Sequence, residues 1–315
     1  MPTPSRKHVA VIGGSGFIGS RLVGALMETG AEVTVLDLKP LPAALDGCCR
    51  SYDVDIAAPG ALGGLLGDVD AVFLTAARLA KLCDEDPVAG WTVNATGVRN
   101  VVAALAASRR CPKVVFTSSG SVYRSPAPAY PTPESAPLEA SDTYTAAKID
   151  AERTLERAAD RGLLSAVVLR PFTVYGPGPS SGARGHFIAD WIERALAGQP
   201  LVVHGDGRQT VDLTHVDDVV RAGLAALDLR SRFCVLNVGS GTETTLLELA
   251  RWMRAVVPSV KTVRAPWRGG RRRQLADIAL AAQLLGWRPM ILPRRGITEL
   301  LRSRAEATAA ASGAS

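Results

Sequence analysis

A doubly wound α/β fold, a parallel sheet with helices on both faces, follows from three features of the sequence. Short apolar runs alternate with segments of helical period along most of the chain. The first run leads into Gly13, Gly16 and Gly19, a G-x-x-G-x-x-G spacing that opens a helix. The second run ends in an acid, Asp37, eighteen residues after Gly19.

Taken in order, Val9–Ile12 is apolar throughout and predicts a buried strand. Phe17, Ile18, Leu22, Val23, Leu26 and Met27 then recur at helical period, Gly30 stops the helix, and Val33–Leu36 predicts a second strand. This is a dinucleotide-binding βαβ unit of the Rossmann type. A pyrophosphate sits against backbone N–H groups at a helix start, and any Cβ on the turn would hold it away. Gly13, Gly16, Phe17, Ile18 and Gly19 are therefore expected to line a cofactor site. Asp37, followed by Leu38, lies where a carboxylate accepts both ribose hydroxyls of an adenosine and repels a 2′-phosphate. NAD is expected rather than NADP, with Lys39 the nearby charge that acts the other way.

Further on, the acid–apolar pair Asp55 and Ile56, within Asp53–Ile56, is placed to flank an adenine. Val69–Thr75 predicts another strand, and the small Ala76 and Ala77 after it let a cofactor approach. Pro87–Ala107 predicts one long helix. Its stripe of Trp91, Val98, Val101, Val102 and Leu105 is broad enough for a core and for a partner. Lys113–Phe116 predicts a strand that ends in Thr117, Ser118, Ser119, Gly120 and Ser121. After the proline-rich, irregular Ser125–Ser141, a helix is expected over Thr143–Ala159, capped by Ser141 or Asp142. Ala166–Leu169 predicts the next strand, leading into Arg170 and Pro171. The last dozen residues are low in complexity and expected to be disordered.

Composition narrows the class. The chain has 315 residues, 47% hydrophobic and 21% charged, the balance of a soluble enzyme. Its five cysteines, Cys48, Cys49, Cys83, Cys111 and Cys234, show no metal-ligand spacing, and an odd number is a poor disulfide framework. A reduced, cytoplasmic compartment is the expectation. Gly13 ends the first apolar run too early for a signal peptide, and no run approaches the ~20 residues of a membrane span. The net charge of +6 owes much to Arg264, Arg268, Arg271, Arg272 and Arg273. That cluster has no recognisable nucleic-acid-binding module. It suits a phosphorylated small molecule, and a solvated loop would explain most of it as well.

The chemistry is expected on the helix that starts at Thr143. A spacing of four puts Tyr144 and Lys148 on one face. A free phenol, with a pKa near ~10, is a poor base at neutral pH. A nearby ammonium and an oxidised nicotinamide both favour the phenolate, so the sequence predicts a lowered Tyr144 pKa. Ser119, at a strand end, can hydrogen-bond the same reacting oxygen.

These residues resemble the extended short-chain dehydrogenase/reductases of the NAD-dependent epimerase/dehydratase family, which act on nucleotide sugars. The resemblance rests on residues 13–19, 117–123, Tyr144–Lys148 and Arg170–Gly178, then on Gly205–Gly207, Thr214–Asp218, Asn237–Gly241 and Leu284–Trp287. It implies Ser119, Tyr144 and Lys148 as catalytic residues, with Thr117 and Pro171 beside the cofactor. It implies an NAD-binding domain over residues 1–175, rejoined by the chain around 210–240. A smaller, substrate-binding domain is expected mainly over 176–302, with a tail over 303–315. Arg272 falls where such enzymes carry a phosphate-binding arginine, and His204 where an aromatic packs on the nucleotide base. Relatives pair the two helices that carry Trp91 and Tyr144 into a homodimer, with Trp91, Val98 and Leu105 spaced to contribute.

There are departures. Val211 stands where many relatives have arginine, so diphosphate binding leans on Arg272 or Arg208. Thr173 stands where many have asparagine. Gly120 and Ser121 replace the Asp-Glu pair of the dehydratases, which argues against elimination. The expected function is an NAD-dependent epimerase of a nucleotide sugar at C4, working through a transient keto-sugar. The alternatives are a reductase of a nucleotide keto-sugar and a non-catalytic NAD-sensing or interaction protein. The last would be free to lose the tyrosine or the lysine, and both are present.

Overall fold

The structure, a computed structural model, describes residues 7–108, 110–178, 187–267, 269 and 272–313. In chain order its strands are β1 (His8–Ile12), β2 (Glu32–Asp37), β3 (Arg50–Asp53), β4 (Ala71–Leu74), β5 (Lys113–Thr117), β6 (Ser165–Pro171), β7 (Thr173–Tyr175), β8 (Leu201–His204), β9 (Thr210–His215), β10 (Phe233–Val238), β11 (Glu243–Thr245) and β12 (Thr262–Ala265). The helices are α1 (Phe17–Glu28), α2 (Ala80–Glu85), α3 (Pro87–Trp91), α4 (Gly97–Ala106), α5 (Thr143–Asp160), α6 (Phe187–Leu196), α7 (Val216–Ala226), α8 (Leu246–Val256), α9 (Ala279–Leu285) and α10 (Pro293–Gly313).

Seven parallel strands form the main sheet in the order β10-β6-β5-β4-β1-β2-β3. The apolar runs sit at its centre because a parallel strand is covered on both faces. Along β1, Val9 and Val11 point into a core shared with α1 and α7, while Ala10 and Ile12 point into one shared with α4 and α5. The chain runs outward from β1 in both directions, so a crevice opens where the winding reverses, between β1 and β4. Ile12 is level with Leu36 and with Leu74, and Leu74 with Phe116. That register lines up Gly13, Asp37, Thr75 and Thr117 along one edge.

At Pro171 the chain leaves the main sheet. β7 pairs with β9, and β9 with β11, in a small sheet; β8 pairs with β12 in a second. Tyr175, Trp191, Leu213, Met253 and Ile297 fill the core beneath them. The chain then comes back: α7 packs on α1, and β10 completes the main sheet beside β6.

Three expectations change. Pro87–Ala107 is not one uniform helix, because a π turn over Thr92–Thr96 joins α3 to α4. Val98 and Leu105 are fully buried against the sheet, so neither can reach a partner chain; Trp91 keeps 36% of its surface exposed. α10 runs on to Gly313, so most of the tail expected to be disordered is helical. Alanines dominate that stretch, and alanine has the highest helix propensity.

Asp142 is the cap of α5, and Ser141 is not. Its carboxylate accepts from the Thr145 backbone N–H at 2.7 Å, while the Thr145 hydroxyl accepts from the Asp142 backbone N–H at 3.1 Å. The reciprocal pair satisfies two N–H groups at the helix start, one residue from Tyr144. Asp142→Ala is expected to cost about 1 kcal/mol of unfolding free energy, measured by urea denaturation.

Candidate active site

The glycine turn fits a pyrophosphate because side chains have no room there. Gly13 has φ +85°, and a Cβ on it would collide with the Ala76 backbone nitrogen; one on Gly19 would fall on the Gly13 carbonyl. α1 begins at Gly16 with no capping side chain and no acid in its first turn. Its positive end therefore faces the crevice without an anion of its own. Phe17 and Ile18 are half-buried against the core, and a Cβ on Gly178 would lie 2.6 Å from the Phe17 ring.

Asp37 closes the turn from the β2 side. One carboxylate oxygen accepts from the Ser15 N–H at 2.9 Å and the other from the Lys39 N–H at 3.0 Å. Leu38 and Lys39 are exposed. Asp55 accepts from the Ala57 N–H at 2.8 Å. The Ile56 side chain is buried in the core under Gly97. Ala76 is half-buried and Ala77 exposed where the chain leaves β4. These groups suit a dinucleotide.

β5 and α5 bring the chemical groups together. Ser119 starts a single turn after β5, and its hydroxyl accepts from the Ser121 N–H at 3.1 Å. Lys148 is 2% exposed, donates to the Thr117 carbonyl at 2.8 Å, and lies 4.7 Å from the Phe116 ring centroid and 5.8 Å from that of Tyr144. Pro171 is buried at the end of β6.

The lowering expected at Tyr144 needs an oxidised nicotinamide as well as the lysine; among the protein's own groups, burial pushes the phenol up to about 12, with a hydrogen bond to Ser119 acting against it. Burial also pushes Lys148 down to about 8, opposed by the charge of Glu152. Burial is the largest influence on both groups, with Lys148 fully buried and Tyr144 partly so.

The substrate-side expectations fall around the small sheets. Thr173 donates to Gln274 at 3.3 Å. The His204 Nδ1 lies 3.2 Å from the Pro266 carbonyl oxygen, and Arg272 stacks over Trp267 at 4.9 Å, with Gly205 against the same ring. Arg208 is exposed on the Gly205–Gly207 turn. Val211 pairs with Thr244 across β9 and β11 and brings no charge. Of the arginine cluster, Arg273 is held by Glu243 at 2.7 Å and Arg264 is exposed on β12; Arg268 and Arg271 lie outside the described residues.

The sequence reading does not single out Asn94, Glu152, Trp267 or Gln274. Asn94 is buried in the π turn and grips the Arg78 backbone, accepting its N–H at 2.8 Å and donating to its carbonyl at 2.9 Å. The available signal was a polar residue in an apolar stripe. Glu152 gave the same kind of signal, four residues beyond Lys148.

The profile of the NAD dependent epimerase/dehydratase family matches residues 9–239. The chain belongs to this family. It is thereby an enzyme, and NAD is its cofactor. A UDP-glucose 4-epimerase of Mycolicibacterium smegmatis is 34% identical over 302 residues, covering 92% of this chain and 96% of its own. A UDP-N-acetyl-alpha-D-glucosaminuronate decarboxylase of Bacillus cytotoxicus is 30% identical, covering 83% and 84%. Among solved structures, the UDP-glucose 4-epimerase of Thermotoga maritima with UDP-glucose has a TM-score of 0.89 at 28% identity, covering 96% and 99%. MoeE5 in complex with UDP-glucuronic acid and NAD has 0.86 at 30%, covering 95% and 99%. Among the described residues no helix is long and apolar enough to cross a membrane.

A buried ammonium opposes folding. Below pH 8 the folded chain carries the Lys148 charge at a cost. Between about 8 and 10.5 the unfolded chain keeps a proton that the folded one has released, so this contribution to stability rises with pH. Lys148→Met is expected to stabilise the cofactor-free protein by ~1–3 kcal/mol at pH 7, the gap closing towards pH 10. Urea denaturation of both proteins at the two pH values checks this.

Proposed function

We propose that this enzyme is an NAD-dependent epimerase acting at C4 of a nucleotide-activated sugar, through a transient keto-sugar. The observation that carries the reading is the convergence of Ser119, Tyr144 and Lys148 beside the glycine turn, with no elimination acids next to Ser119. A side chain at position 120 would lie 2.9 Å from the Phe172 ring, so the site leaves no room for one. The 34% identical relative carries the 4-epimerase name.

Bound NAD supplies the hydride acceptor and donor at C4, and its oxidised ring brings positive charge into the site. Tyr144 takes the proton from the C4 hydroxyl and later returns it to the keto oxygen. Ser119 holds the same oxygen, and Lys148 favours the phenolate. One base serves both half-reactions, because the keto-sugar turns over between them. Asp37 orients the adenosine ribose. His204 and Trp267 face the nucleotide base, Thr173 contacts the sugar, and Arg272 takes the diphosphate charge that Val211 leaves unmet, with Arg208 at the rim.

Incubation with UDP-glucose, UDP-N-acetylglucosamine and UDP-glucuronic acid, followed by NMR of the products, tests the reading. A 4-epimer formed without added NADH is expected. Net NADH consumption would make the enzyme a keto-sugar reductase, and release of CO2 a decarboxylase. Tyr144→Phe removes one oxygen and should lower turnover by on the order of 10²–10⁴, while NAD binding by calorimetry stays near wild type.

We further propose a homodimer through the Pro87–Ala107 segment, which α3 and α4 make up, and α5. Trp91 and the exposed Val88 supply apolar surface, and Arg99 lies 5.9 Å over the Trp91 ring. Light scattering at micromolar concentration should give twice the 33.0 kDa chain mass. A single-chain mass would overturn the dimer.

A further inference from the structure

α5 carries a third polar residue on the face that bears Tyr144 and Lys148. Glu152 is one turn beyond Lys148, 4% exposed, and makes contacts on two sides. Both of its oxygens accept from Arg170 on β6, at 3.0 Å from Nε and 2.5 Å from an Nη. One of them also accepts from the Ser118 hydroxyl, at the end of β5 and one residue before Ser119. A carboxylate between a strand end and a helix, with every contact charged or hydrogen-bonded, does more than fill space.

We propose that Glu152 is a positioning residue for the catalytic groups: it places a carboxylate on the α5 face that carries Lys148, one turn away, and its hydrogen bond to Ser118 fixes Ser119 opposite Tyr144. The proposal rests on the assignment of Ser119, Tyr144 and Lys148 as the reacting groups. Lys148 has little else to hold its proton. β5 offers the Thr117 carbonyl and the Phe116 ring, both uncharged. α2 offers the Cys83 thiol, which burial keeps protonated, and α5 itself offers the Tyr144 phenol. Arg170 is the cation facing Glu152, held through two hydrogen bonds. Among the groups around Lys148, Glu152 is the carboxylate that favours the ammonium in its buried place.

The test reads Lys148 directly, without substrate. The chain has six lysines, Lys7, Lys39, Lys81, Lys113, Lys148 and Lys261, so a protein labelled with 13C at lysine Cε gives a short spectrum. Lys148 is assigned by the resonance lost in Lys148→Met. In cofactor-free wild type it should titrate near pH 8. Glu152→Gln keeps the size and removes the charge, and the midpoint should fall by about one pH unit or more. Glu152→Asp keeps the charge at a longer reach and should lower it by less. If the glutamine variant does not fold, the aspartate variant carries the same test.

Ser118→Ala tests the second half. The Lys148 midpoint should stay at the wild-type value while kcat on UDP-glucose, or on whichever UDP-sugar is turned over, falls at least tenfold at every pH. A wild-type midpoint in a folded Glu152 variant would leave Glu152 a structural residue only. Wild-type kcat in Ser118→Ala would remove its link to Ser119. Absence of turnover on every UDP-sugar would fail the epimerase reading, and the lysine titration would still decide the first half of the proposal.

Discussion

A buried ion pair between a strand and a helix underlies the geometry of this enzyme. Arg170 and Glu152 are both nearly inaccessible, and bringing two such charges out of water costs several kcal/mol each. The cost is offset by saturation with partners. Arg170 also donates to the Tyr123 hydroxyl at 3.0 Å and the Glu134 carbonyl at 3.2 Å. Tyr123 donates to Asn237 at 2.6 Å, and Asn237 donates to the carbonyls of Thr132 and Asp277. One connected network thus joins α5, the ends of β5, β6 and β10, and the irregular segment after residue 125. Such a network adds little net stability and much definition, since removing any member leaves a buried polar group without a partner.

The sheet supplies the other constraint. Parallel strands in fixed register end at one edge, so the glycine turn, Asp37 and the Thr117–Ser119 segment meet by construction. The substrate side is built differently. The chain breaks from the main sheet at Pro171 and starts a small sheet at Thr173, which sets Thr173 against Gln274, 101 residues away. Asp212 holds this region from inside: buried, it accepts from the Ser240 N–H and hydroxyl, the Gly241 N–H and the Ala276 N–H. The turns that carry the substrate-side residues are thereby tied to the strand that leads back into α7.

Burial acts on Tyr144 and Lys148 in opposite directions on the pH scale, yet in both it favours the neutral form. The resting site therefore has a protonated phenol and a weakly held lysine proton. Reading the pair from a spacing of four gives their shared face correctly. It does not give the burial of either group, because a sequence does not state how much water remains around it.

The sequence by itself determined the first βαβ unit, the Asp37 tip and the Tyr144–Lys148 face, because each depends on residues close in the chain and on a fixed period. It also placed Ser119 at a strand end, since an apolar run followed by serines marks that boundary. Tertiary structure decided which side of each helix is spent on the core. Val98 and Leu105 turned inward, Ile56 was buried under Gly97, and the π turn aimed Asn94 at Arg78. It decided, too, that Glu152 meets Arg170 and that Trp267 lies under Arg272. These are contacts between distant segments, and only the packed sheet sets the distance between them.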